Sequence, residues 1–253
     1  QPCQATDNPG AIGAVDFVLF CVKLWDVETA GMTLKSLIGP NTAVIPLQNG
    51  IDAAERLIPI LGKNAVMGGV AQISATIQEP GVIAQTGTFM KIVFGELDDR
   101  MSDRGTAFLE MCKQAGFDVQ CTDAIQVALW EKFVLLAVNS SVVALVRQPF
   151  GKLTPDPDIM DLFSAAFAEV IACGRALGIK LHPEMQARVE KATRNFPATM
   201  MPSMAIDLLR GNRLELPWLG GKVVELGKQL GVPTPTFNVM YAALKLYANG
   251  EPK

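Results

Sequence analysis

Five side chains carry the chemistry this sequence offers. Lys132, in Trp130-Glu131-Lys132, is followed by fourteen residues without a charge, 133–146. A lysine at the threshold of such a stretch either snorkels its head to water or is left dry enough for its pKa to fall into the range useful for general acid work. Lys23 and the loop Gln48-Asn49-Gly50 each follow an apolar run, where a lysine or a side-chain amide meets a ligand's anionic or ribosyl groups. Asn-Gly is equally an ordinary strand-to-helix turn, and Lys23 an ordinary solvated lysine. Ser203, in Pro202-Ser203-Met204, reads as a helix N-cap, a position that also suits an anion. Glu215 stands as a carboxylate between Leu214 and Leu216, where the plain reading is an exposed loop acid.

Composition removes other chemistries. The single histidine, His182, makes a Ser-His-Asp or Cys-His hydrolase improbable and reads as a structural residue at a helix start. Five cysteines at scattered positions, with no CxxC, predict neither a disulfide framework nor a metal site, and fit a reduced, cytoplasmic setting. A formal net charge of -3 argues against a nucleic-acid partner. Uncharged apolar stretches stay shorter than the roughly 18 residues of a membrane span, so no membrane partner is expected.

The elements that must position these residues change character along the 253-residue chain. Residues 16–22 and 42–47 are continuous apolar runs, as in strands buried on both faces of a parallel sheet, with helical spacing at 26–38 and 51–61 between and after them. A third strand is expected from Ala65. Short strands with turns at Gly87 and Gly95 follow, then a helix over 102–115 and a last strand at 118–121. These are βαβ units closed by an antiparallel ribbon. Beyond Cys121 strand signals stop. A long helix over 123–147 precedes helices near 159–177, 183–196, 204–210, 218–230 and 236–248. The expected domains are therefore 1–121, α/β, and 122–253, all-helical. Gly10-Ala-Ile-Gly13 lacks the GxGxxG spacing and precedes a strand, so it reads as a plain turn.

Taken in order, the Val-Lys strand end at Lys23, Leu47-Gln48-Asn49-Gly50, Pro80-Gly81-Val82 through Gly87, Trp130-x-Lys132, Pro202-Ser203-Met204, Glu215 and Gly231-Val-Pro-Thr-Pro235 resemble the ketopantoate reductase (2-dehydropantoate 2-reductase) family of pantothenate biosynthesis, over nearly the whole chain. The resemblance implies a Rossmann-like domain followed by a helical domain of the 6-phosphogluconate dehydrogenase C-terminal type. It implies an NADPH-dependent oxidoreductase that reduces a 2-oxo acid to the 2-hydroxy acid. Lys132 then matches the catalytic proton donor and Glu215 an acid near the nicotinamide and that lysine. Lys23 and Asn49 match cofactor positions, while Asn49, Lys132, Ser140 and Ser203 match substrate positions. No metal is implied, and a homodimer through the helical domain is compatible.

Three departures qualify the match. The family's glycine-rich phosphate turn precedes anything here, which leaves the α/β domain incomplete, without first strand and phosphate loop. Its two substrate asparagines, four and eight residues after the lysine, are Leu136 and Ser140, with Asn139 one step off, and its histidine in the His-Thr-Gly segment is Gln85. The alternatives are a non-catalytic nucleotide- or metabolite-binding homologue and a β-hydroxyacid-type dehydrogenase.

Overall fold

The computed structural model describes residues 4–250, at 86–89 by backbone alone; Cys3 lies outside them. Contacts divide the chain into two compact units: 1–48 with 52–129, and 49–51 with 130–253. The change of rhythm near residue 122 falls in the loop before a long helix, whereas the division by contacts falls within that helix.

In the first unit, β1 (Val15–Phe20) pairs in parallel with β2 (Ile38–Pro46), Phe17 opposite Ala43 and Phe20 opposite Pro46. Between them run a 3-10 turn at Leu24–Asp26, α1 (Val27–Thr33) and a second 3-10 turn at Leu34–Leu37. The helix expected over 26–38 is thus broken into three pieces. After β2 comes α2 (Ala53–Leu61), bound to α1 by Arg56, whose guanidinium forks onto Glu28 at 2.6 and 2.7 Å and reaches the Leu24 carbonyl at 2.7 Å. The chain returns through Val66, which makes an isolated parallel bridge to Val44 of β2, into β3 (Gly68–Glu79), the first strand of a second sheet.

β3 pairs antiparallel with β4 (Val82–Gly95), and here the expected short strands are corrected. The hairpin turns at Pro80-Gly81, with Gly81 at φ +83°, and β4 is one strand of 14 residues. Apolar cross-strand pairs run along it: Ile77 with Ile83, Ile73 with Met90, Val70 with Val93. Gly87 marks a bulge instead of a turn, residues 86–89 standing opposite Ser74 alone. α3 (Asp103–Gln114) follows, with the Ser102 hydroxyl accepting from the Gly105 amide at 3.1 Å, and β5 (Asp118–Cys121) lies parallel to β4. Phe94 and Phe108 meet edge to face at 4.9 Å in a core with Ala43, Ile45 and Met67. Arg104 ties the layers together, forking onto Glu96 and donating to the carbonyls of Thr42 and Asn64.

The second unit begins inside α4 (Ile125–Val146), which is apolar on all sides because it is enclosed. By length and composition α4 alone among the described helices is long and apolar enough to cross a membrane, yet 67% of that window is buried, so it serves as a core helix. Around it lie α5 (Phe150–Leu153), α6 (Pro157–Ala176), α7 (Met185–Arg194), α8 (Ser203–Leu209), a 3-10 turn at Leu216–Trp218, α9 (Gly220–Leu230) and α10 (Pro235–Leu244). Phe133, Val134, Val138, Phe163, Phe167 and Phe237 fill the core. Helix ends are set locally. Asp156 caps α6, Gly231 ends α9 in the left-handed conformation, and the buried Glu169 carboxylate accepts from the Thr236 and Phe237 amides at 2.7 and 3.0 Å to cap α10.

A methyl group at Gly95 would collide with the backbone carbonyl of Thr122, while one at Gly81 meets open space and only the left-handed backbone opposes it. Gly95→Ala is expected to lower stability by about 3 kcal/mol and Gly81→Ala by about 1 kcal/mol, measured by urea unfolding. Equal losses would place the constraint elsewhere.

Candidate active site

Three residues remote in sequence meet in the helical unit. The Lys132 ammonium donates to Asn49 Oδ1 at 3.1 Å, and Asn49 Nδ2 donates to Glu215 Oε2 at 3.2 Å. An amide whose oxygen faces a cation and whose nitrogen faces a carboxylate has only one sensible orientation. Each member is placed by its neighbours. Lys132 follows Trp130, whose ring packs on Gly174. Asn49 sits in the segment 49–51, which belongs to this unit and whose Ile51 packs on its core. Glu215 leads into the 3-10 turn at Leu216–Trp218, and Leu214 and Leu216 on either side are fully buried. The exposed-acid reading of Glu215 therefore fails: the residue is only 4% exposed.

Burial pushes the Lys132 ammonium down to about 8, and the field of Glu215 pulls the other way. Glu215 is the only charged group among the described residues whose field counts at Lys132. The snorkelling alternative for this lysine does not hold.

The remaining expected residues are placed differently. Ser140, on α4, is 1% exposed and its hydroxyl has no protein partner. Asn139 is held by α7: its Oδ1 accepts from the Thr193 hydroxyl at 3.1 Å, while its Nδ2 is buried and unpartnered. Leu136 packs on the helical core. Ser203 is the first residue of α8, exposed, and Pro202 occupies the cap position, so the N-cap reading is corrected; no hydrogen bond joins Ser203 to the Lys132 group. Proline there fixes an extended backbone with φ -61° and offers no side-chain acceptor. Lys23 belongs to the α/β unit, exposed past β1, with its ammonium 5.5 Å from the Trp25 ring centroid. His182 is structural, its Nδ1 accepting from the Glu184 amide at 3.1 Å.

One residue was named by sequence only as part of its loop. Gln48 is buried past β2; its Nε2 donates to the Phe20 carbonyl at 2.8 Å, which leaves Oε1 buried without a protein partner. This places an open acceptor at the carboxyl edge of the two parallel strands, where open α/β sheets take ligands. The signal in the sequence was a polar residue directly after an apolar strand run.

Comparison with known proteins places this arrangement. Residues 1–99 match the family model described as Ketopantoate reductase PanE/ApbA, and residues 124–248 its C-terminal counterpart. The 2-dehydropantoate 2-reductase of Archaeoglobus fulgidus is 28% identical over 218 residues, covering 86% of this chain and 71% of that protein. Among solved structures, the PanE/ApbA family ketopantoate reductase from Ralstonia eutropha JMP134 is 28% identical with a TM-score of 0.86, covering 96% of this chain and 79% of its own. The 2-dehydropantoate 2-reductase from Geobacter metallireducens GS-15 is 27% identical with a TM-score of 0.86, covering 94% and 79%. An α/β unit with parallel strands, followed by a helical unit with a buried lysine, defines a pyridine-nucleotide-dependent oxidoreductase. The chain belongs to the ketopantoate reductase family.

The lowered pKa has a consequence for stability. A lysine that titrates near 8 when folded and near 10.5 when unfolded leaves the unfolded chain holding more protons between those values, so stability rises with pH across that window. The gain is at most about 3 kcal/mol. Urea unfolding at pH 7.5 and 10 is expected to show it in the wild type and not in Lys132→Met; a pH-independent difference between the two proteins would contradict the burial of a charge.

Proposed function

We propose that this protein reduces a small 2-oxo acid to the 2-hydroxy acid, with NADPH as hydride donor and Lys132 as proton donor, in a cytoplasmic setting compatible with the unbonded Cys21, Cys112, Cys121 and Cys173. The observation that carries this reading is the Lys132–Asn49–Glu215 chain of hydrogen bonds in a dry helical setting. The open Gln48 Oε1 fits a donor on a nicotinamide or ribose, and Lys23 and Asn49 would hold further parts of the cofactor. When bound, the cofactor supplies hydride to the carbonyl carbon.

Everything else falls to this chain. Asn49 fixes the Lys132 ammonium by a bond to its own oxygen, and the ammonium offsets the negative charge that grows on the substrate's carbonyl oxygen before giving up a proton to it. A donor titrating near 8 transfers that proton readily and is still largely protonated at neutral pH. Glu215 favours return of a proton to the amine from solvent, because its field stabilises the charged form. In this reading Ser203 and Asn49 receive the substrate's carboxylate and Ser140 its tail.

The tail is where this chain is distinctive. Leu136 packs on the core beside the site, and Asn139 is tied to Thr193 through its oxygen. An apolar wall cannot select for a hydroxyl as a hydrogen-bonding site does. The preferred substrate is therefore a 2-oxo acid with a less polar tail than ketopantoate.

In the full-length enzyme, Lys132→Ala is expected to lower turnover about 10²-fold or more with NADPH binding nearly unchanged, and Lys132→Arg to restore little because guanidinium does not release its proton. Turnover of the wild type should decline above about pH 8 as the donor empties. Near-normal turnover in the alanine variant would remove Lys132 from the reaction. For the substrate, kcat/KM is to be compared between ketopantoate and 2-oxo acids with alkyl tails, and between NADPH and NADH. A tenfold preference for ketopantoate would contradict the apolar-tail assignment.

A further inference from the structure

The same lysine meets the requirements of a second reaction. Lys132 is half-buried, its amine is hydrogen-bonded at the Asn49 side chain, and its surroundings supply a single charged group, Glu215, held one amide away. The amine has one protein acceptor, Asn49 Oδ1, and is followed along α4 by fourteen uncharged residues. A primary amine in such a place is a nucleophile toward carbonyl carbon whenever it is neutral.

We propose that, with no hydride donor present, Lys132 captures small aldehydes and 2-oxo acids as a reversible imine, which makes it a carbonyl-modification site as well as a proton donor. The inference rests on the reading of Lys132 as the group that faces a substrate's carbonyl. The nitrogen lone pair forms the N–C bond, and one amine proton moves to the carbonyl oxygen to give a carbinolamine. That oxygen then leaves as water, taking the second amine proton, and the C=N bond forms. No electrons are gained or lost, and no co-reactant is needed.

Neutrality is what separates Lys132 from the surface lysines. At pH 7.5 a group titrating near 8 is about one quarter neutral, whereas an ordinary lysine is about 0.1% neutral. Even after allowing for the lower intrinsic nucleophilicity of a weaker base, Lys132 leads.

The test uses the 253-residue chain, glyoxylate or 2-oxobutanoate as probe, and sodium cyanoborohydride to reduce the imine to a stable secondary amine, without any nicotinamide. Intact-mass measurement and peptide mapping should find one adduct per chain on Lys132, at least tenfold above any other lysine at pH 7.5. Lys132→Met and the charge-preserving Lys132→Arg should both lose it. Adducts spread evenly over the lysines, or Lys132 spared, overturn the proposal, and wild-type mapping alone decides this if a variant fails to fold. NADPH-dependent turnover on the same preparation separates the two readings. Reduction without capture overturns the nucleophile and leaves the reductase standing, while capture without reduction supports the nucleophile alone.

Discussion

A single buried ammonium group, on a helix whose only other charge is the neighbouring Glu131, is the constraint on which the helical unit is organised. Moving an unpaired charge out of water costs several kcal/mol in a real protein, and α4 carries no compensating charge through the rest of its length. Compensation is imported from two distant segments, one from the loop before α2 and one from the turn before α9. It is only partial. Burial still outweighs the field of Glu215, which leaves the lysine with a pKa lowered to about 8.

Several features follow from that balance. The segment 49–51 belongs with the helical unit although its neighbours in sequence belong with the α/β unit, because Asn49 must bridge cation and acid while Ile51 packs below. Glu215 is buried between two leucines that fix the 3-10 turn, so its carboxylate cannot drift to solvent. Trp130 packs on Gly174, where a larger residue would meet the indole, and so seats the first turn of the helix that carries Lys132.

Much of this was legible in the sequence where a local rule decides. The uncharged run after Lys132 announced a buried helix, while leaving open whether the amine is dry, and β5 appeared at 118–121 as read. What escaped was decided by tertiary contact. Gly87 reads as a turn residue, but cross-strand pairing on both sides of it, Ile73 with Met90 and Ala75 with Gln85, keeps β4 one strand with a bulge there. Ser203 has the right type for a cap, yet Pro202 takes that position and leaves the serine exposed. The burial of Glu215 could not be read from two flanking leucines, since its partner lies 166 residues away. Asn139, one step from an expected substrate position, is tied to Thr193, a contact that no spacing within α4 encodes.

The balance at Lys132 is open to direct observation. Heteronuclear NMR of protein carrying labelled lysine follows the Lys132 Cε and Nζ shifts through a pH titration, with Lys132→Met to assign the signal. The account predicts a midpoint of about 8 in the wild type, falling further in Glu215→Gln as the stabilising field is removed. A midpoint near the ordinary lysine value of about 10.4, unmoved by Glu215→Gln, would contradict it.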